Sequence, residues 1–468
     1  MKKRIRVAFF WTGVVLGLLV TAIGPSACTG SKPRFSRCPI ILISLDTVRA
    51  DHLSCYGYHR DTSPAIDKIA AEGALFSNAF TPMPTTLPAH VSLFTSLYPR
   101  EHQVLQNGWK IKAPFPSLAG ILQEADYCTG AVLGAAVLKR QTGLASGFDY
   151  YDDAFERYTP LNEALFGKNR LLRRTADQVV TTAEKWIDRQ DPDRPFFMFM
   201  HFFDAHTKYD LVPDAYKRCF PTDPELTRIM QSRNQDPAFT EKINQYDGGI
   251  RFIDDNLAEF RRFLERKGLF DKCLILIVSD HGEGLGEHQY YHHGLQLYEA
   301  QVHVPFIIRF PQQKWEGRKL ESLTTLLDAA PTILECLGLE PLPGARGKSV
   351  LPLIEGRSEK VRDFVLLERR WFSPENPQGF RDWEPGEKYG IRGERWKYIW
   401  RTESSAQLFD LMVDSHELDD RASAEPAVSA QMEIQLRKYR AALKNRKTKK
   451  QEVDPKRLEE LKALGYVH

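Results

Sequence analysis

Three unbroken apolar runs punctuate the chain, and each gives way abruptly to polar residues. Pro39-Ile40-Ile41-Leu42-Ile43-Ser44-Leu45 leads into Asp46-Thr47, and Cys273-Leu274-Ile275-Leu276-Ile277-Val278 leads into Ser279-Asp280-His281-Gly282. Between them, Pro195-Phe196-Phe197-Met198-Phe199-Met200 leads into His201-Phe202-Phe203-Asp204-Ala205-His206. Runs of this length, without polar alternation, predict strands buried on both faces, as in a parallel sheet. Elsewhere the apolar period is helical. Ser63-Pro64 opens a helix carrying Ile66, Ile69 and Ala70 that stops at Gly73, and Ile250, Ile253, Leu257, Phe260 and Leu264 mark another that ends near Gly268. A third helix follows Thr86, with Leu87, Val91 and Phe94 on its core face, Pro88 in its first turn and Thr86 as its N-cap. The alternation predicts an α/β fold: a doubly wound, mostly parallel sheet flanked by helices, with a smaller C-terminal α+β subdomain.

Ligands of open α/β sheets bind beyond the carboxyl ends of the strands, so Asp46 and Asp280-His281 are expected to converge there. Two carboxylates, an imidazole and a threonine oxygen form a donor set suited to a divalent metal. Thr86 adds a hydroxyl at the positive end of a helix, where unpaired amides favour a tetrahedral anion such as phosphate or sulfate. It is the candidate nucleophile; the competing reading, which the local residues alone favour, is an ordinary capping threonine.

Several blocks then occur in a recognisable order. Ile43-Ser44-Leu45-Asp46-Thr47-Val48-Arg49-Ala50-Asp51-His52-Leu53 is followed by Cys55-Tyr56-Gly57-Tyr58, and later by Ser279-Asp280-His281-Gly282-Glu283-Gly284 with Tyr291-His292-His293-Gly294. Leu326-Leu327-Asp328-Ala329-Ala330-Pro331-Thr332 and Trp396-Lys397-Tyr398 with Leu408-Phe409-Asp410 come after. Together they resemble the sulfatase-like branch of the alkaline phosphatase superfamily over nearly everything beyond the N-terminal segment. The resemblance implies a metal held by Asp46, Asp280 and His281 with Thr86 and Thr47, zinc preferred and manganese, magnesium or calcium also suited to the carboxylates. It also implies that His206 and His293 face the transferring group, as ligands of a second metal or as hydrogen-bond donors and proton carriers. Asp204 is left to orient His206 or to join that second metal. His201 is expected to be packed in the core, and His288, His292 and His303 are weaker candidates.

The departures bear on the reaction. Main-type sulfatases carry cysteine or serine at the nucleophile position and arginine four residues later; this chain has Thr86 and His90. Formylglycine hydrates to a geminal diol whose second hydroxyl expels sulfate, whereas oxidised threonine would give only a ketone, so Thr86 must act as a plain alkoxide. The Thr-x-Pro-x-His pattern resembles the nucleophile block of nucleotide pyrophosphatase/phosphodiesterases, and the lysine with which sulfatases hold sulfate is missing, His293 standing near its place. The expected function is a metal-dependent hydrolase, or a phosphoethanolamine-type transferase, of phosphate mono- or diesters working through a covalent threonine intermediate, with Thr86, His90, His206 and His293 as its catalytic set. The alternatives are a sulfuric ester hydrolase without formylglycine and a catalytically decayed metal-dependent binding protein.

At 468 residues the chain is long enough for one large catalytic domain, placed at 38–345, followed by a subdomain at 346–443 and a basic tail with a short terminal helix at 444–468. A formal net charge of +3 argues against nucleic acid as the main partner, and the resemblance implies a small-molecule, glycan or lipid-head ester as substrate. Lys2, Lys3, Arg4 and Arg6 precede an apolar stretch from Val7 to Ile23 and then Pro25-Ser26-Ala27-Cys28. Residues 1–28 therefore predict a secretory signal, with Cys28 resembling the lipidated cysteine of a bacterial lipoprotein, or an uncleaved signal anchor; either holds an exported domain at a membrane, periplasmic or at the cell surface. The remaining six cysteines are expected to pair or to be buried thiols. The basic run of Lys444, Arg446, Lys447, Lys449 and Lys450 predicts a solvated linker, with anionic lipid heads as the competing partner.

Overall fold

A computed structural model of the chain describes residues 33–112, 115–155, 172–375, 383–443, 451–464 and 466. Eight strands form the main sheet: β1 (Ile40–Leu45), β2 (Ala74–Phe76), β3 (Cys128–Val132), β4 (Tyr150–Asp152), β5 (Phe196–Phe202), β6 (Leu274–Val278), β7 (Phe306–Arg309) and β8 (Arg318–Leu320). Their order is β8-β2-β7-β6-β1-β5-β3-β4, and the only antiparallel partner among them is β7. The three apolar runs of the sequence are thus the adjacent central strands β6, β1 and β5, as a mostly parallel, doubly covered sheet requires.

Alternate residues of these strands feed two separate cores. Ile40, Leu42, Phe197, Phe199, Leu274 and Leu276 belong to one apolar cluster, which α2 (Thr86–Thr95) and α5 (Ala329–Leu337) cover. Ile41, Ile43, Met198, Met200, Ile275 and Ile277 belong to the other, under α1 (Pro64–Ala71), α3 (Ala176–Ile187) and α4 (Thr240–Arg266). Helix α1 starts where Pro64 predicts, but its cap is tertiary: the Asp254 carboxylate on α4 accepts from the Ala65 and Ile66 amides, both at 2.8 Å. Helix α4 begins ten residues before Ile250, because Ile243 and Tyr246 are buried and extend its apolar face. Gly249 interrupts that face to admit the backbone: a Cβ there would lie 2.7 Å from the Asp204 carbonyl oxygen.

Beyond the main sheet, β9 (Val365–Phe372), β10 (Gly386–Arg392), β11 (Trp396–Arg401) and β12 (Gln407–Asp410) make an antiparallel sheet in sequence order. One face packs on α6 (Pro426–Ala442) through Met432 and Leu436; the other meets Phe80, Leu297 and Val302 of the main domain. The last helix, α7 (Pro455–Ala463), returns to the main domain, where Leu461, Leu464 and Tyr466 join the α2-side core. Arg457 donates to the Val137 carbonyl at 2.9 Å and secures this return.

The expected terminal helix is therefore present, whereas the basic run and the N-terminal segment with Cys28 lie outside the described residues. Among the described residues no helix is long and apolar enough to cross a membrane. Six cysteines are free thiols, four of them buried.

Candidate active site

The carboxyl ends of β1, β5 and β6 are level, with Ser44 paired to His201 on one side and to Val278 on the other. This register brings Asp46, Asp280 and His281 together: one donor atom of each lies within 4.8 Å of the others, and all three residues are fully buried. Thr47, at φ +61°, turns the chain so that its amide donates to Asp280 Oδ1 at 3.2 Å, and the His281 amide donates to the same oxygen at 2.9 Å. Asp46 Oδ2 accepts from His201 Nε2 at 3.1 Å. Asp46 Oδ1 and Asp280 Oδ2 are buried without a hydrogen-bond partner.

Burial, and after it the charge of Asp280, pushes Asp46 well above the usual carboxylate range; burial likewise raises Asp280. The His281 imidazole is pushed down to about 4, by burial first and then by His293. Its Nδ1 donates to the Gly282 carbonyl at 2.9 Å, which leaves Nε2 as a lone pair aimed at Thr86 Oγ1, 3.2 Å away. Two orphaned carboxylate oxygens, a neutral imidazole nitrogen and a hydroxyl fit a divalent cation, whose charge would remove the repulsion between the aspartates.

Helix α2 supplies Thr86, although not as its cap. Thr85 occupies the N-cap and Thr86 the first helical position, so the Thr86 hydroxyl is free of capping duty. The Leu87 amide is satisfied by Asn107 Oδ1 at 2.9 Å. His90, one turn on, lies beneath the site: its Nδ1 donates to the Thr86 carbonyl at 2.8 Å and its Nε2 accepts from the Ser44 hydroxyl at 2.9 Å. Nδ1 is 3.7 Å from Asp280, and burial pushes this imidazole down to about 4, so it stays neutral. His90 is a positioning residue that ties α2 to β1, which differs from the expected catalytic part.

Around Thr86 stand two more histidines. The His293 and His281 rings are 4.4 Å apart and the His206 and His293 rings 4.9 Å apart. His293 Nδ1 donates to Glu283 Oε1 at 3.1 Å, and the other Glu283 oxygen accepts from the Thr207 hydroxyl at 3.0 Å. His206 stacks on Phe203 at 4.1 Å and leaves Nε2 buried without a partner. Expected neighbours that take other places are Asp204, whose Oδ1 accepts from the Ala176 amide at the start of α3, and Thr47, whose hydroxyl donates to the Asp46 carbonyl at 2.7 Å. Among the described residues no hydrogen bond joins Asp204 to His206, and Thr47, expected among the metal ligands, reaches Asp280 through its amide. His303 is taken up by the Ser77 carbonyl at 2.7 Å, and His288 stacks on Tyr298.

Three participants had no functional reading in the sequence. His201 is buried, as expected, yet its partner is Asp46; its place at the carboxyl end of an apolar run, as for Asp46, was the available signal. Glu283, within the block after Asp280, holds His293. Tyr466 enters from α7: its phenol shares a 3.0 Å hydrogen bond with Thr86 Oγ1, and its ring lies 5.2 Å from His206 and 5.9 Å from His293. No local pattern marks a tyrosine 380 residues from its partner. Burial, and then the charge of Asp46, raises this phenol well above its usual value, so it remains protonated.

The Sulfatase family profile matches residues 39–339, the greater part of the chain. The chain belongs to the sulfatase family. A second profile, N-sulphoglucosamine sulphohydrolase, C-terminal, matches residues 286–442 and so takes in the antiparallel sheet and α6. An arylsulfatase of Clostridium perfringens is 24% identical over 452 residues, covering 82% of this chain and 90% of that protein. An N-acetylglucosamine-6-O-sulfatase of Bacteroides thetaiotaomicron is 21% identical, covering 86% of each. Among solved structures, a protein in complex with its substrate D-glucosamine-2-N,6-O-disulfate superposes with a TM-score of 0.72 at 18% identity, over 89% of this chain and all of that one. The phosphonate monoester hydrolase of Agrobacterium radiobacter gives 0.70 at 23% identity, over 86% of this chain and 95% of that one. These likenesses establish the alkaline phosphatase/sulfatase fold with its C-terminal subdomain. The family match supports a hydrolase of the sulfatase family, and the curated relatives are named for sulfuric rather than phosphoric esters, the reverse of the order read from Thr86.

Proposed function

We propose that this sulfatase-family hydrolase cleaves sulfuric esters of glycans through a covalent intermediate on Thr86. The observation that carries the reading is the placement of Thr86 Oγ1 beside Asp46, Asp280 and the free Nε2 of His281. A divalent cation held by Asp46, Asp280, His281 and Thr86 would supply Lewis-acid charge for the ester oxygens and lower the pKa of the hydroxyl. His293, whose Nδ1 donates to Glu283 and whose ring lies 4.4 Å from that of His281, is the proposed acceptor of the Thr86 proton, and Glu283 would stabilise the imidazolium that results. The Thr86 oxygen then bonds to sulfur as the bond from sulfur to the ester oxygen breaks, and the leaving alcohol takes the proton back. Because threonine has no geminal hydroxyl, the second half is attack of water on sulfur, which breaks the bond between sulfur and Thr86 Oγ1 and restores the hydroxyl.

The phosphoric ester reading keeps one observation in its favour: the plain hydroxyl of Thr86 where main-type sulfatases carry cysteine or serine. The purified soluble domain, assayed for metal and offered 4-nitrophenyl sulfate, N-acetylglucosamine 6-sulfate, 4-nitrophenyl phosphate and a phenylphosphonate, decides between them. Sulfates are expected to turn over fastest; a tenfold or greater preference for either phosphorus ester would overturn the sulfuric reading. Export and tethering through Cys28 belong to the same proposal, since an extracellular glycan is reached only from outside. Cys28→Ala should move the protein from the membrane fraction to the soluble one, and unchanged fractionation would reject lipidation.

A further inference from the structure

Among the described residues most buried guanidinium groups are matched with carboxylates. Arg49 has Asp51 and Glu287, Arg60 has Asp223 and Asp247, and Arg309 has Glu72 and Asp271. Arg362 is likewise paired with Asp328. Arg369 is satisfied otherwise, by the carbonyls of Leu295, Glu384 and Gly386. Arg370 is the exception. Its guanidinium makes one hydrogen bond, 3.2 Å to the carbonyl of the adjacent Trp371, and lies over the Phe372 ring at 3.9 Å. Among the described residues no carboxylate comes within ion-pair distance. A half-buried cation without an anion is costly, and Arg369 beside it adds like charge. Burial accordingly pulls the Arg370 guanidinium down to about 10.

Its location gives the missing anion a meaning. Strand β9 carries Arg370 out of the C-terminal subdomain to the wall of a cavity of ≈50 Å³ that it shares with Thr85, Asn107, His293, Phe372 and Tyr466. Thr85 immediately precedes the candidate nucleophile, and His293 and Tyr466 surround it. The cation therefore stands on the approach to Thr86, contributed by a different unit from the one that holds Asp46 and Asp280.

We propose that Arg370 is a specificity-determining residue that receives a second anionic group, sulfate or carboxylate, on the leaving-group sugar of the substrate. Guanidinium pairs such groups in bidentate fashion, and a pair shielded from water by Phe372 is stronger than one on the surface. The substrate class is thus an acidic, multiply charged sugar ester in preference to a singly sulfated neutral one. The inference rests on the sulfuric ester reading for the position of the transferred group.

The test compares the wild-type protein with Arg370→Gln and Arg370→Lys on glucosamine-2-N,6-O-disulfate and on N-acetylglucosamine 6-sulfate. Arg370→Gln should lower kcat/KM for the disulfate by at least about tenfold, through KM, and change the monosulfate by less than about twofold; Arg370→Lys should fall between. An equal loss on both sugars would place Arg370 on the transferred group, and no loss on either would leave it without a substrate role; both outcomes overturn the proposal. Unchanged thermal midpoints confirm that the variants are folded. If the wild type hydrolyses neither sugar, the sulfuric ester reading fails, and calorimetric titration of the disulfate into wild type and Arg370→Gln tests Arg370 separately. Tighter binding to the wild type by tenfold supports it; equal or absent binding rejects it.

Discussion

Tyr466 stands where an ester must come. In-line attack needs the reacting atoms roughly 3–3.5 Å apart, and the Tyr466 phenol already lies 3.0 Å from Thr86 Oγ1 while Thr86, Asp46 and Asp280 have no exposed surface. Turnover therefore requires the Tyr466 segment to withdraw. The docking is modest: among the described residues Leu461, Leu464 and Tyr466 are the side chains that this C-terminal stretch fully buries in the main core, about 2 kcal/mol each by apolar burial. The cost of ordering the same stretch, about 1–2 kcal/mol per residue, opposes this. Tyr466→Phe deletes one buried hydrogen bond worth about 1 kcal/mol, which raises the open fraction about fivefold. Tyr466→Ala removes the ring as well, for about 3 kcal/mol and more than a hundredfold, until the open state dominates. Because the apparent affinity of a partly closed site scales with its open fraction, kcat/KM for 4-nitrophenyl sulfate should rise about fivefold in the phenylalanine variant and further in the alanine variant. The assay is initial rate at substrate concentrations below KM, with bound metal measured in each sample. A tenfold fall in kcat/KM with metal retained would refute the reasoning and make the phenol part of the chemistry.

Thr86→Ala should reduce turnover at least about a thousandfold while leaving metal content unchanged, and Thr86→Ser should keep part of the activity. Intact-protein mass after rapid quench should show an adduct on the parent protein and none on Thr86→Ala; parental rates in the alanine variant would end the covalent mechanism. Asp280→Asn should abolish the bound divalent cation, zinc being expected, yet raise the thermal midpoint in chelator, because it removes one of two repelling buried carboxylates; metal retained at full occupancy would reject the site. Glu368, buried with neither oxygen hydrogen-bonded, is raised to about 8, by burial first and against the pull of Arg100. A raised carboxyl favours the folded state at low pH, so this contribution is full below the ordinary value of 4.5 and is lost as pH rises through about 8. Glu368→Gln should therefore flatten the fall of the thermal midpoint between pH 4.5 and pH 8, and an unchanged slope would show that Glu368 is ionised in the folded protein.

Much of this architecture was legible along the chain because burial on both faces leaves a one-dimensional mark. A parallel strand covered twice must be apolar at nearly every position, so 40–45, 196–202 and 274–278 announce themselves, and the rule that ligands gather at their carboxyl ends brings Asp46, Asp280 and His281 together without coordinates. Thr86 could be placed at a helix start by spacing alone. What spacing cannot decide is direction. Whether Thr86 caps its helix or turns its hydroxyl outward, whether Thr47 offers Oγ1 or its amide, and whether Asp204 meets His206 or the first turn of α3 depend on backbone angles and packing that leave no periodic trace. The same holds for partners remote in sequence. His90 is tied to Ser44, His293 to Glu283 and Thr86 to Tyr466 by contacts that exist only once β1, α2, α7 and the β6 loop are stacked. Tertiary structure also decided which charges went unpaired: Arg369 and Arg370 are adjacent and chemically identical, and only the fold surrounds one with carbonyls and leaves the other facing the pocket.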